Sequence, residues 1–247
     1  MRVTDAAPSA CSVAVVVGAS GGVGRALTAR LAQDPAYDRV FALSRRRPDD
    51  WHDSDRQAWR PVDILDEASL RAASNDIAEH GAPTRIIVAT GLLHAAGLSP
   101  EKSMSALDAN ALTRLFAVNA VGPALVAKHF LPLTPRERPS LFAVLSARVG
   151  SIGDNRLGGW YGYRASKAAL NMLIRSLAIE HQRRRPLSIC VALHPGTVAT
   201  TLSAPFRSGA TVFGTDQSAV HLLEVMDALR PSDSGGFFAW DGQTIAW

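Results

Sequence analysis

The chain has 247 residues, 47% of them hydrophobic and 19% charged, with 19 glycines and two cysteines. That composition supports a large core and excludes a collagen-like repeat, a disordered chain and a disulfide scaffold. The net charge of +4 rests on 23 arginines against three lysines (Lys102, Lys128, Lys167), an excess that on charge alone would suit a polyanionic partner.

In chain order, residues 12–18 (SVAVVVG) read as a strand buried on both faces, and residues 22–33 as a helix. Strands follow at 40–44 and 59–62, then a helix at 66–80 opened by acidic residues that suit its positive end. A fourth strand covers 85–90. Residues 103–131 read as a long helical region interrupted near Asn119–Pro123. Strands at 141–146 and 187–193 flank a helix running to about Arg184, and a helix at 215–229 and a strand at 237–240 close the chain. Nearly continuous apolar strands separated by helices imply right-handed crossovers and a parallel sheet. One doubly wound Rossmann-type α/β domain with a parallel, seven-stranded sheet accounts for residues 1–247. The N-terminus lacks a signal-peptide pattern, and no apolar run approaches the roughly 18 residues of a membrane helix. Cys11 and Cys190 have no metal-ligand or redox spacing and read as small buried side chains. A cytoplasmic location without membrane or nucleic-acid partners is expected.

The first strand runs into Gly18-Ala19-Ser20-Gly21-Gly22-Val23-Gly24. Glycines there permit a tight turn and let backbone amides approach a phosphate, and the following helix offers its N-terminus to the same anion. Glycine serves many strand–helix turns, but at the first turn of a doubly wound pattern a dinucleotide is the best ligand. The second strand ends in Ser44-Arg45-Arg46-Arg47, where an NAD site usually carries a carboxylate. Ser44 and Arg45 are the candidates for a 2′-phosphate, so NADP(H) is expected. Arg46 and Arg47 read as a solvated loop.

Tyr163 and Lys167 stand at i and i+4 on a helical stretch, on one face. A lysine cation beside a phenol favours the phenolate, which would bring Tyr163 toward the range useful for acid–base work. Tyr161 lacks such a partner, its i+4 residue being Ala165.

The glycine turn and this YxxxK pair, in their order and separation, resemble the short-chain dehydrogenase/reductase family over nearly the whole chain. The segments RVGSIGDN, GGWYGYRASKAALN and DGQTIAW are most similar to its bacterial C-factor-like branch, related to small carbonyl reductases. The resemblance implies a carbonyl–alcohol oxidoreductase with Tyr163 as general acid/base and Lys167 tuning it and holding the ribose. It implies Asn119 as anchor of a proton relay, Asp63 and Ile64 at the adenine, and Gly91 below the cofactor. It also implies Pro195, Gly196, Thr197 and Val198 at the nicotinamide. Two departures stand out: Ala89-Thr90-Gly91-Leu92 replaces the family's NNAG, and Ala147 holds the usual place of the catalytic serine. Ser146 is the first candidate for that hydroxyl, Ser151 the second, and a site without the serine the third. His94 and Trp160 lie where the cleft would open, residues 199–214 read as a lid, and Arg183–Arg185 as a solvated helix end. A dinucleotide-binding regulatory or signalling protein is the alternative function. The helices at 103–131 and 158–184 form subunit interfaces in relatives, whereas some small carbonyl reductases are monomers, so dimer, tetramer and monomer stay open.

Overall fold

The computed structural model describes residues 12–48, 51–206 and 212–247; Cys11 falls outside them. β1 (Val13–Val17) is buried along its whole length. Val13, Val15 and Val17 pack on one face with Leu70, Val126, Phe130, Leu170 and Ile174. Ala14 and Val16 pack on the other with Leu27, Leu31, Ala219 and Leu222. Alternating side chains of one apolar strand thus join two helical layers, which is why the run shows no polar alternation.

The elements follow as α1 (Gly22–Gln33), β2 (Arg39–Ser44), β3 (Gln57–Pro61), α2 (Glu67–Ala78), β4 (Pro83–Val88), α3 (Ala109–Phe116) and α4 (Gly122–Phe130). After them come β5 (Ser140–Leu145), α5 (Tyr161–Gln182), β6 (Ser188–His194), β7 (Thr197–Val198), β8 (Val212–Phe213), α6 (Thr215–Ala228) and β9 (Phe237–Ala239). The main sheet has seven strands in the order β3-β2-β1-β4-β5-β6-β9, with every pairing parallel. The chain winds outward from β1 through β2 to β3, then returns to β4 and winds the other way. The carboxyl ends of β1 and β4 are therefore the switch point, where a doubly wound fold opens a crevice.

The helices around residue 110 and one arginine refine the sequence reading. The helix expected from Ser103 begins at Ala109, because the Asp108 carboxylate accepts from the Ala111 amide and caps it there; Met104–Ala106 is a separate 3₁₀ turn. The interruption between α3 and α4 is a π-helical turn, Ala117–Val121, carrying Asn119. Taken together Ala109–Leu133 is long and apolar enough to cross a membrane, with mean hydropathy 1.3; half of that window is buried inside the fold, which accounts for its apolarity. Arg185, expected in solvent, donates to the carbonyls of Thr134 and Pro132 at 2.9 and 2.7 Å and ties the end of α5 to the loop after α4.

Candidate active site

At the switch point the glycines do what only glycine can. Gly18 has φ +88°, and a Cβ there would stand 2.9 Å from the Ala89 carbonyl carbon. A Cβ on Gly24 would stand 2.2 Å from the Gly18 oxygen, so α1 could not pack this close to the strand end. The Gly18 and Ala19 amides donate to Leu43 O at 2.8 and 3.1 Å. Gly21 caps α1 with no side-chain hydrogen bond. The first amides of the helix are thus without an intrahelical acceptor, a fit for the oxygens of a bound phosphate. Nearby, Thr90 Oγ1 is buried with no partner among the described residues.

At the end of β2, the Ser44 hydroxyl donates to Arg46 O at 2.8 Å and accepts from Trp59 Nε1 at 2.9 Å. It shapes the turn that presents Arg45 and Arg46, both exposed. Arg47 pairs with Asp53 at 3.0 Å. The Asp63 carboxylate accepts from the Leu65 amide at 3.0 Å, and Ile64 packs where a Cβ on Gly122 would clash.

The residues that the resemblance implies for acid–base work lie close together. Asn119 Oδ1 accepts from the Leu92 amide, and Nδ2 donates to Leu92 O, both at 2.8 Å, and to Ser166 Oγ at 3.0 Å. Ser166 in turn donates to Tyr163 O at 2.8 Å. The π-helical turn therefore clamps the segment after β4 to the start of α5. Lys167 Nζ donates to Leu145 O at 2.8 Å and lies 5.9 Å from the Tyr163 ring centroid. A Cβ on Gly91 would be 3.9 Å from both Asn119 Oδ1 and Lys167 Nζ. The protonation of the pair departs from expectation, because burial outweighs the lysine. Desolvation pushes the Tyr163 phenol above its ordinary range and brings Lys167 down to about 8.

Tyr163 and Lys167 line a cavity of about 590 Å³ together with Gly21–Val23, Ala147, Trp160 and Thr197–Val198. The segment after β6 reaches it through a glycine. Gly196 has φ +78°, and a Cβ there would stand 2.7 Å from the Phe213 ring; Pro195 O accepts from Ser218 at 3.0 Å. Gly18, Ser20, Gly24, Ser44, Arg45, Asp63 and Ile64 lie outside this lining.

The serine question takes a definite geometry. Ser146 is buried, and its hydroxyl donates to Asn171 Oδ1 on α5 at 2.7 Å. That bond takes its proton, while Ser146 itself lines the same cavity as Tyr163 and Lys167. Ser151 is also buried, accepts from the Asp154 amide at 3.0 Å, and is not among the lining residues. Ala147 packs with Leu93, Leu98, Leu115 and Tyr163. Asn171 was missed, although its position four residues after Lys167 continues the Tyr163–Lys167 face.

The far wall is aromatic. Trp160 meets Tyr163 edge-on at 6.3 Å and Phe206 at 5.1 Å. His94 is edge-on to Phe206 at 5.6 Å, and its Nε2 donates to Thr201 O at 3.1 Å, tying the segment after β4 to the lid. Of the lid, residues 199–206 and 212–214 are described, and its ends are joined by the β7–β8 pair.

The fold, the glycine turn and the Tyr163–Lys167 pair define a dinucleotide-binding oxidoreductase architecture, and the comparisons agree. The family model for short chain dehydrogenase matches residues 12–211, and the chain belongs to that family. A 1-hydroxy-2-glutathionyl-2-methyl-3-butene dehydrogenase of Rhodococcus sp. (strain AD45) is 31% identical over 186 residues, 75% of this chain and 78% of that one. The C-signal protein of Myxococcus xanthus is 39% identical over 137 residues, 55% of this chain and 78% of that one, in keeping with the C-factor-like resemblance. Among solved structures, an NADPH-bound carbonyl reductase from chicken fatty liver superposes with a TM-score of 0.81 at 26% identity, covering 96% of this chain and 99% of that one.

Proposed function

We propose that this protein is an NADP(H)-dependent oxidoreductase that interconverts a carbonyl and an alcohol on a small molecule, with Tyr163 as general acid/base. The observation that carries the reading is that Tyr163 and Lys167 line one cavity whose other end is the uncapped start of α1, with Asn119 buried behind them and bonded to Ser166. The NADPH-bound avian relative supports the choice of cofactor. Gly18, Ser20, Gly21, Gly22, Val23 and Gly24 would hold the pyrophosphate by backbone amides. Arg45 would meet the 2′-phosphate, and Ser44 would act indirectly by shaping Arg45's turn. Asp63 and Ile64 would border the adenine, Gly91 would let the cofactor approach Lys167, and Pro195, Gly196, Thr197 and Val198 would border the nicotinamide.

A reduced nicotinamide held there would supply the hydride that a carbonyl carbon receives. Tyr163 holds the proton that the carbonyl oxygen receives, and its raised pKa keeps that proton in place until charge develops. Lys167 stabilises the phenolate left behind. Asn119 fixes the segments on which both depend. Tyr163 is the hydroxyl proposed to meet the developing oxyanion; Ser146 lines the same cavity with its proton given to Asn171. Following NADPH oxidation with a panel of aldehydes, ketones and quinones tests the reading. Tyr163→Phe should lower kcat by about 10³-fold, within the range general acid catalysis supplies, while NADPH still binds. No Tyr163-dependent turnover despite NADPH binding would support the second reading, a dinucleotide-binding signalling protein, which the Myxococcus C-signal relative and the absent serine favour.

A further inference from the structure

The two charged side chains buried among the described residues are Lys167 and Glu101. Lys167 has a place in the reaction proposed above; Glu101, on the segment between β4 and α3, has none. Glu101 is 5% exposed and meets the start of α5 twice. Its backbone oxygen accepts from the Trp160 amide at 2.6 Å, and its Oε2 accepts from the Gly162 amide at 3.1 Å. Oε1 is buried with no partner among the described residues. The positive end of α5 suits that carboxylate. Gly162 leaves room for it, since a Cβ there would stand 2.8 Å from Oε1 and 2.7 Å from Leu115 Cδ1.

Leading into these two bonds the backbone takes an unusual path. Gly158, Gly159 and Trp160 have φ of +62°, +64° and +50° in succession, and Trp160 is the one non-glycine at positive φ among the described residues. Two glycines enter this region freely; a tryptophan enters it only where its surroundings over-determine it, and such residues cluster at functional sites. The result is that the Trp160 ring lies edge-on to both Tyr163 and Phe206.

We propose that Glu101 is a positioning residue for the active site: its carboxylate, bonded to the Gly162 amide beside the backbone bond to Trp160, fixes the aromatic wall of the cleft against Tyr163. It acts on substrate placement and not on the proton, so its loss shows in KM before kcat. The proposal rests on the carbonyl-reductase reading, and the experiment separates the two.

Glu101→Ala, Glu101→Gln and Gly162→Ala are compared with wild type for KM and kcat on an aromatic ketone, for NADPH affinity by fluorescence titration, and by near-ultraviolet circular dichroism. Glu101→Ala is also made in a Trp160→Phe background. Glu101→Ala should raise KM about 10-fold or more with a smaller fall in kcat, as misplaced substrate contacts do, and leave NADPH affinity within about 2-fold. Glu101→Gln, which keeps an oxygen for the Gly162 amide, should restore KM to within about 3-fold of wild type. The dichroism change caused by Glu101→Ala should vanish when Trp160 is already phenylalanine. An unchanged KM in Glu101→Ala, a Gln variant as impaired as Ala, or a dichroism change that persists without Trp160 overturns the proposal. Should Glu101→Ala not fold, Gly162→Ala takes its place, because its added methyl displaces the carboxylate; a folded Gly162→Ala with wild-type KM overturns the proposal too. A wild-type protein that reduces nothing sinks the enzymatic reading, and the dichroism comparison then decides on Glu101 by itself.

Discussion

The two ends of the cleft are built from different materials. At the Gly18–Gly24 end the contact surface is backbone: a left-handed Gly18, a helix start with no side-chain cap, and a Gly24 with no room for a Cβ. At the Trp160–Phe206 end it is side chains: an indole held at positive φ, a phenyl ring on the lid, a histidine bonded to Thr201, and Ala147 in place of a hydroxyl. Backbone amides recognise what every phosphate shares, so that end accepts little variation. Side chains can be exchanged without moving the scaffold, so that end is where one member of a family comes to differ from another.

This contrast can be broken most directly at Gly24. Gly24→Ala should destabilise the fold by about 1–3 kcal/mol, as overpacking does, and weaken NADPH binding by more than about 10-fold. Thermal unfolding and a cofactor titration check both, and a variant that binds NADPH normally would mean that the turn has slack. Arg45 is the exception that sharpens the comparison, a side chain at the backbone end. Arg45→Ala should raise the KM for NADPH by about 10- to 100-fold, the worth of a charge-assisted hydrogen bond, and leave that for NADH nearly unchanged. Equal losses with both cofactors would remove Arg45 from the 2′-phosphate.

At the other end the expected effects are smaller. Ser146→Ala removes a buried hydrogen bond to Asn171, so stability should fall by about 1 kcal/mol with kcat within about 3-fold of wild type. A loss of about 100-fold would return Ser146 to the catalytic role read from the sequence. The smallest effect concerns pH. Burial, with Arg148 adding to it, holds His194 down to about 4, against an ordinary 6.5. The unfolded chain therefore binds the extra proton between about pH 4 and 6.5, and stability rises with pH across that window. His194→Gln should flatten the dependence of Tm on pH over that interval; an equally steep curve would assign the slope elsewhere, His181 being the next group that burial shifts the same way.

The arginine excess also divides by region. Arg45 is the one proposed to meet the cofactor, but several others are structural. Arg56 donates to the carbonyls of Ala32, Asp34 and Tyr37, Arg185 to those of Thr134 and Pro132, and Arg60 and Arg85 pair with Asp76 and Asp227. A guanidinium has several donors in fixed geometry and can satisfy loop carbonyls that a lysine would reach singly. Charge count alone could not separate these uses.

What the sequence by itself determined is whatever depends on local periodicity and short spacing. The doubly apolar β1 predicts a parallel sheet, the spacing of glycines predicts the phosphate turn, and Tyr163 with Lys167 at i and i+4 predicts a shared helix face. Each can be read locally because the interacting groups lie within a few residues of one another. What only the tertiary structure decided depends on directions at strand ends and on bonds between distant segments. Ser146 and Asn171 are 25 residues apart, and Glu101 and Gly162 are 61 apart. No periodicity links such pairs, so whether a hydroxyl faces the cleft or the helix behind it is set by how the layers pack. The left-handed Trp160 is of the same kind: nothing in the residues beside it asks a tryptophan to take that conformation, and the residue that bonds to it and to Gly162, Glu101, comes from another part of the chain.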